Sequence, residues 1–255
     1  GTIEELIDIV TACYDDFIRN NSIYRMYENF SDYVKVFQQL NEAVKSKQNV
    51  AHHYDLKEDL YKLFLDKDMQ YSCAYFHNEN ISLDQAQIDK KNHIINKLQI
   101  KEDMSVLDIG CGWGGTALEI AKQTGAKVKG ITLSENQFAT ASRRAQEEGL
   151  SDKVSFQIQD YRDEKLKYDR IVSVGMFEHV GIKYFKPYLG KTYDLLRDNG
   201  VFLLHTIGQR GIPTATSPWI RKYIFPGGYI PSLSDILIEA EKLNINITDV
   251  EILRL

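Results

Sequence analysis

The residues best placed to do chemistry form one run, Asp108-Ile109-Gly110-Cys111-Gly112-Trp113-Gly114-Gly115. It follows the short apolar run 105–109 and opens a helical stretch at 115–123. Gly110 and Gly112 lack a Cβ, so backbone can come close to a ligand there. The helix behind them presents free N–H groups, which suits a nucleotide cofactor. Gly110, Gly112 and Gly115 also satisfy G-x-G-x-x-G, so a nicotinamide dinucleotide is one reading. That reading needs an acid at the end of the next strand to hold a ribose. The strand instead ends Lys129-Gly130-Ile131-Thr132-Leu133. The carboxylates stand elsewhere, Asp108 just before the loop and Asp160 closing the third strand-like segment.

These residues need a scaffold, and the pattern from Met104 onward supplies one. Strands are expected at 105–109, 128–132, 154–159, 169–174 and 200–206. Helices are expected between them at 115–123, 134–148 and 184–197. Strands alternating with helices predict a parallel sheet covered on both faces. Residues 1 to about 100 read as helical, from Ile3, Leu6, Ile7, Ile9 and Val10, then Val34, Phe37, Leu40 and Val44. Leu56, Leu60, Leu63 and Phe64 mark a third helix, and Ala86, Ile94, Ile95 and Leu98 a fourth that Ser82 would cap. A strand is conceivable only at 69–76 in this region. The expected fold is α/β: a doubly wound, mostly parallel sheet with helices on both faces, preceded by a helical N-terminal region. Two sections follow, a helical region at 1–50 and the cofactor-binding domain at 51–255.

Composition excludes several classes. The chain has 255 residues, 43% hydrophobic and 26% charged, as in an ordinary globular protein. A net charge of −5 advertises neither nucleic-acid binding nor a polybasic membrane anchor. No apolar run is long enough to span a bilayer. Cys13, Cys73 and Cys111 are sparse and odd in number, which argues for a reducing compartment and against a disulfide framework; no metal site is expected.

Asp108 and Asp160 occupy the places where class I methyltransferases put carboxylates near the methionine part and the adenine of S-adenosylmethionine. Further blocks sharpen this. His53-Tyr54-Asp55-Leu56, Met69-Gln70-Tyr71-Ser72-Cys73-Ala74-Tyr75-Phe76, the glycine loop and Thr132-Leu133-Ser134-Glu135-Asn136-Gln137 resemble cyclopropane fatty acid synthases and mycolic acid cyclopropane synthases. So do Gln159-Asp160-Tyr161, the run 169–180, Leu203-Leu204-His205-Thr206-Ile207-Gly208, Pro218-Trp219-Ile220 and the run 223–228. The resemblance covers nearly everything from Ala51 onward.

The resemblance implies methyl transfer from S-adenosylmethionine to a cis double bond of a phospholipid acyl chain. Proton loss and ring closure follow, with a bound bicarbonate ion as base. It implies anion contacts from Cys73, Glu178 and His205 and from the backbone at Ile207. Taken singly, Cys73 reads as a small hydrophobe, Glu178 as a loop carboxylate and His205 as a core histidine. Jointly they gain weight, because Glu178 and His205 follow the ends of the fourth and fifth strands, which face the glycine-loop crevice. A carboxylate beside hydrogen-carbonate repels it unless a proton is shared, so a raised Glu178 pKa is expected. His52, His53 and His179 read as structural residues or as supports behind the direct contacts.

For the cofactor, the resemblance implies Tyr71, Ser72, Asp108, Gly110 and Gly112 at the methionine end. It places Thr132, Leu133 and Gln137 along the ribose and adenosine, Asp160 and Tyr161 around the adenine, and Gly175 and Met176 beneath the sulfonium. Tyr75, Phe177 and Tyr223 are aromatics that could stabilise positive charge. A fatty-acid C-methyltransferase, a small-molecule N-methyltransferase of the same fold, and a non-catalytic lipid- or cofactor-binding module remain open. The lipid substrate implies a cytoplasmic protein in peripheral contact with the inner face of the membrane. The segment 210–229, mixing Arg210, Arg221 and Lys222 with Trp219, Tyr223, Phe225 and Tyr229, suits either an interface or a lid. No nucleic-acid partner is expected, and a homodimer is admitted. Ile245–Leu255 reads as an outgoing sixth strand without its returning neighbour, so the C-terminal part of the domain is expected to be missing.

Overall fold

The computed structural model describes residues 1–20, 58–209 and 228–253. Helix α1 (Ile3–Asn20) and the single turn α2 (Glu58–Tyr61) precede α3 (Leu83–Leu98). Ser82 caps α3 by accepting from the Gln85 N–H at 3.2 Å, as its position before the periodic run predicts. The segment 69–76, a conceivable strand from sequence, forms none, and Met69 takes a left-handed φ of 54°.

The domain alternates β1 (Ser105–Ile109), α4 (Gly115–Thr124), β2 (Lys127–Thr132), α5 (Glu135–Glu147), β3 (Val154–Ile158), β4 (Tyr168–Val174), α6 (Phe185–Leu195), β5 (Leu196–His205) and α7 (Leu233–Lys242). The sheet order is β3-β2-β1-β4-β5 and every pair is parallel. Strand periodicity splits the core in two. Val106, Val128 and Val172 face α3 and α4, packing with Ile94, Leu98, Leu118 and Ile120. Leu107, Ile109, Ile131 and Ile171 face the other way, against Phe185, Tyr188 and Leu189 of α6 and Ala240 of α7. The order reverses between β1 and β4, which opens a crevice at their C-terminal ends.

Two expectations fail. Helix α6 stops at Leu195 rather than Arg197, because 196–205 join the sheet; Asn199 at φ 61° and a register shift between Tyr168 and Arg170 absorb the irregular start of β5. Residues 245–253 form no sixth strand. Only Ile245 packs against the core; Ile247, Val250 and Ile252 are exposed, so the alternation does not present a core face. Acidic side chains hold the segment instead: Glu251 pairs with His93 at 2.7 Å and with Lys97 at 2.8 Å, and Asp249 pairs with Lys97. Among the described residues no helix is long and apolar enough to cross a membrane.

Candidate active site

A cleft of about 1050 Å³ lies at the crevice. Every residue expected to contact the cofactor lines it: Tyr71, Ser72, Asp108, Gly110, Gly112, Thr132, Leu133, Gln137, Asp160, Tyr161, Gly175 and Met176. The loop after β1 turns through three left-handed glycines, Gly110, Gly112 and Gly114. They differ in what surrounds them. A Cβ on Gly110 would meet Met176 Cβ and Cγ at 2.8 Å, whereas one on Gly112 would meet nothing within 4 Å. Gly110 therefore serves close packing, and Gly112 faces open space in the cleft.

Asp108 is 2% exposed and its Oδ2 has no hydrogen-bond partner. Burial pushes its pKa up to about 7, against the opposing pull of the Lys90 ammonium. Buried, unpartnered carboxylate oxygens are costly, so this atom points to a cationic or donor-bearing ligand. Elsewhere in the lining of the cleft, the Thr132 hydroxyl donates to Gln137 Oε1 at 2.7 Å, and Asp160 Oδ1 accepts from the Arg162 N–H at 2.9 Å.

The 66–72 segment roofs the cleft and is tied down by charge. Burial alone would raise the Asp68 carboxyl, but Lys91, at 2.6 Å, and Arg144 hold it below the usual range. Arg144 also donates to the Trp113 carbonyl at 3.0 Å, so the roof is linked to the glycine loop. Tyr61 packs edge to face on Tyr71 of the roof, with ring centroids 5.6 Å apart, and at a tilt on Trp113, 4.8 Å away.

A second, smaller cavity of about 340 Å³ adjoins the cleft and shares Tyr71, Ser72, Gly175 and His179 with it. Its remaining lining is Cys73, Glu178, His205 and Ile207, the whole set expected at the anion site. These come from distant segments: the roof, the 3₁₀ turn Phe177–His179 after β4, and the end of β5. The Ile207 N–H donates to Glu178 Oε1 at 2.7 Å, so that N–H is committed; the Ile207 carbonyl accepts from the Thr206 hydroxyl at 3.3 Å and keeps a second lone pair for a ligand. Glu178 Oε2 and His205 Nδ1 are buried without partners. Burial raises the Glu178 pKa, with the Ile207 N–H opposing, and burial lowers that of His205 to about 4, aided by the Lys90 charge. The cavity thus offers a carboxyl whose pKa is raised by burial and an imidazole that is neutral at pH 7.

Several outcomes depart from the sequence reading. His179, read as structural or as a support behind the direct contacts, itself lines both cavities. Tyr75 and Phe177, considered as cation stabilisers, line neither: Tyr75 stacks on His93 at 4.5 Å, and Phe177 is buried against Phe185 at 4.2 Å. Tyr223, His52, His53 and nearly all of 210–229 lie outside the described residues. Sequence reasoning missed Gln87 and Lys90, which support the roof from α3. The only sequence signal for them is their place on the same helical face as Ile94.

The model of the mycolic acid cyclopropane synthetase family matches residues 41–255. A cyclopropane-fatty-acyl-phospholipid synthase of Escherichia coli K12 is 48% identical over 189 residues, which cover 74% of this chain and 48% of that protein. A probable fatty acid methyltransferase of Pseudomonas putida is 42% identical over 213 residues, covering 81% of this chain and 54% of that protein. The chain spans about half the length of these curated relatives. The solved structure of a cyclopropane synthase from Mycobacterium tuberculosis superposes with a TM-score of 0.71 at 34% identity, covering 77% of this chain and 73% of that one. The fold is that of a class I methyltransferase.

Proposed function

The chain belongs to the mycolic acid cyclopropane synthetase family, and on that premise we propose that it uses S-adenosylmethionine to add a methylene bridge across a cis double bond of a phospholipid acyl chain. One observation carries the reading. A cleft lined by every residue expected at the cofactor opens beside a small cavity lined by Cys73, Glu178 and His205, and Tyr71, Ser72, Gly175 and His179 are shared between them.

S-adenosylmethionine, when bound, supplies an electrophilic methyl group. Asp108 would hold its cationic methionine end, and Gly112 leaves the room its backbone approach requires. Thr132, Leu133 and Gln137 would hold the ribose and adenosine, Asp160 and Tyr161 the adenine, and Gly175 and Met176 the wall beneath the sulfonium. Bicarbonate, held by Cys73, Glu178, His205 and the Ile207 carbonyl, would supply the base that takes a proton from the transferred methyl. The raised Glu178 pKa lets this carboxyl share a proton with a bound anion, so two bare negative charges never face each other. His205 stays neutral and offers Nδ1 without adding charge. Val174, Met176 and Val180 give the cleft an apolar flank that keeps water from a cationic substrate.

An acyl substrate demands access to a bilayer surface, so peripheral membrane contact belongs to the same proposal. The test is incubation with S-adenosylmethionine, bicarbonate and vesicles of a cis-monounsaturated phospholipid, followed by fatty-acid mass spectrometry. The expected product is heavier by one CH₂ and resists hydrogenation as a ring does. A methyl-branched or methylene product would move the reading to fatty-acid C-methylation. Transfer to amines with none to lipid would overturn it.

A further inference from the structure

Helix α3 carries two adjacent lysines that are both almost fully buried, Lys90 at 2% and Lys91 at 4% exposure. Lys91 is accounted for by its ion pairs to Asp68 and Glu119, which anchor the roof. Lys90 has a different setting. Its Nζ donates to the Ser72 hydroxyl at 2.7 Å. One helical turn away, Gln87 Nε2 donates to the Ser72 carbonyl at 3.0 Å and the Gln70 carbonyl at 3.3 Å. Ser72 is part of the wall between the two cavities.

A buried ammonium with no matched carboxylate is costly, and an apolar side chain of similar length would pack more cheaply. The charged and titratable groups facing Lys90 are Asp66, Asp68 and Cys73 from the roof, Lys91 from its own helix, Asp108 at the end of β1 and His205 at the end of β5. The roof carboxylates are already engaged. Asp66 accepts from the Gln70 and Asp68 N–H groups, and Asp68 is paired with Lys91 and Arg144. Asp108 retains a free oxygen.

We propose that Lys90 is a positioning residue for the cofactor, a buried cation that fixes Ser72 on the wall shared by both cavities and supplies the countercharge for Asp108. The assignment rests on the proposed use of S-adenosylmethionine. Burial lowers the Lys90 pKa to about 8, so it remains cationic at neutral pH, and its charge opposes the rise of Asp108. Without it, Asp108 holds its proton to higher pH and meets a cationic ligand less well.

The test is calorimetric titration of the full chain with S-adenosylmethionine from roughly pH 5.5 to 8.5, spanning the Asp108 midpoint. In the wild type, affinity declines below about pH 7, where Asp108 takes up its proton. In Lys90→Met the decline starts at higher pH, so affinity at pH 7 falls about fivefold for the first unit by which Asp108 rises and about tenfold for the next. Lys90→Arg, which keeps the charge, retains the wild-type midpoint. A merely structural lysine would instead lower affinity by one factor at every pH, and an unmoved midpoint in Lys90→Met overturns the proposal. Should Lys90→Met not fold, Lys90→Gln takes its place. If neither neutral variant folds, the cation serves the fold rather than the cofactor, and the assignment is equally overturned. Wild type that binds no S-adenosylmethionine at any pH refutes the underlying cofactor reading instead, a separate outcome.

Discussion

Asp108→Asn separates the cost of a functional residue from its use. Burial raises the Asp108 pKa from 3.8 to about 7. At about 1.4 kcal/mol per pKa unit, keeping this side chain ionised in the cofactor-free protein costs about 4 kcal/mol at pH 8. The sign follows from linkage. The folded form binds the proton more tightly than the unfolded chain, so stability is highest below 3.8 and falls as pH climbs towards 7. Asparagine cannot ionise and escapes this loss. The variant is therefore expected to gain up to about 4 kcal/mol over wild type at pH 8, and about half that at pH 5.5. The asparagine amide needs a partner in a buried site, which takes back about 1–3 kcal/mol at every pH. The pH dependence of the difference is thus the sharper readout. Urea unfolding of both proteins without cofactor, at the two pH values, measures it. S-adenosylmethionine affinity should fall at least about tenfold in the same variant, a loss of about 1.4 kcal/mol. A stability difference that is equal at both pH values, or that favours wild type more at pH 8, refutes the reasoning.

Glu178→Gln should cut lipid turnover by about 10²–10⁴-fold, the span typical of general acid–base groups, while cofactor affinity stays near wild type; single-turnover assays with added bicarbonate decide it. Gly112→Ala should fold, at a cost of about 1–2 kcal/mol for its left-handed backbone, yet bind S-adenosylmethionine weakly because the new methyl projects into the cleft. Gly110→Ala should be the more destabilised of the two in thermal melts, because its Cβ lands 2.8 Å from Met176. Ser82→Ala should lower stability by about 1 kcal/mol without touching the cleft, since it removes only the acceptor for the Gln85 N–H.

How far the site could be read from sequence depends on how local its parts are. The glycine loop is legible because one stretch of residues sets its own strand, turn and helix start, and the structure returns it with Asp108 buried in the wall of the cleft. The smaller cavity is not local. Cys73, Glu178, His205 and Ile207 meet only after the sheet has formed, and each alone has an ordinary reading. Resemblance, not spacing, brought them together. The supposed sixth strand shows the opposite error. A period of two states which face could be apolar but not whether a partner exists, and 245–253 is held by Asp249 and Glu251 against α3 instead. Lys90 lies deeper still. In the sequence Lys90 sits in the polar run Asp89-Lys90-Lys91-Asn92, and its one local signal is its place on the helical face of Ile94. What buries Lys90 is the roof at 66–73, whose Ser72 receives its hydrogen bond and whose Asp68 takes up its neighbour Lys91. A charged residue of α3 comes to support the wall of the cleft when a distant segment folds over it, and that pairing is a property of the tertiary structure alone.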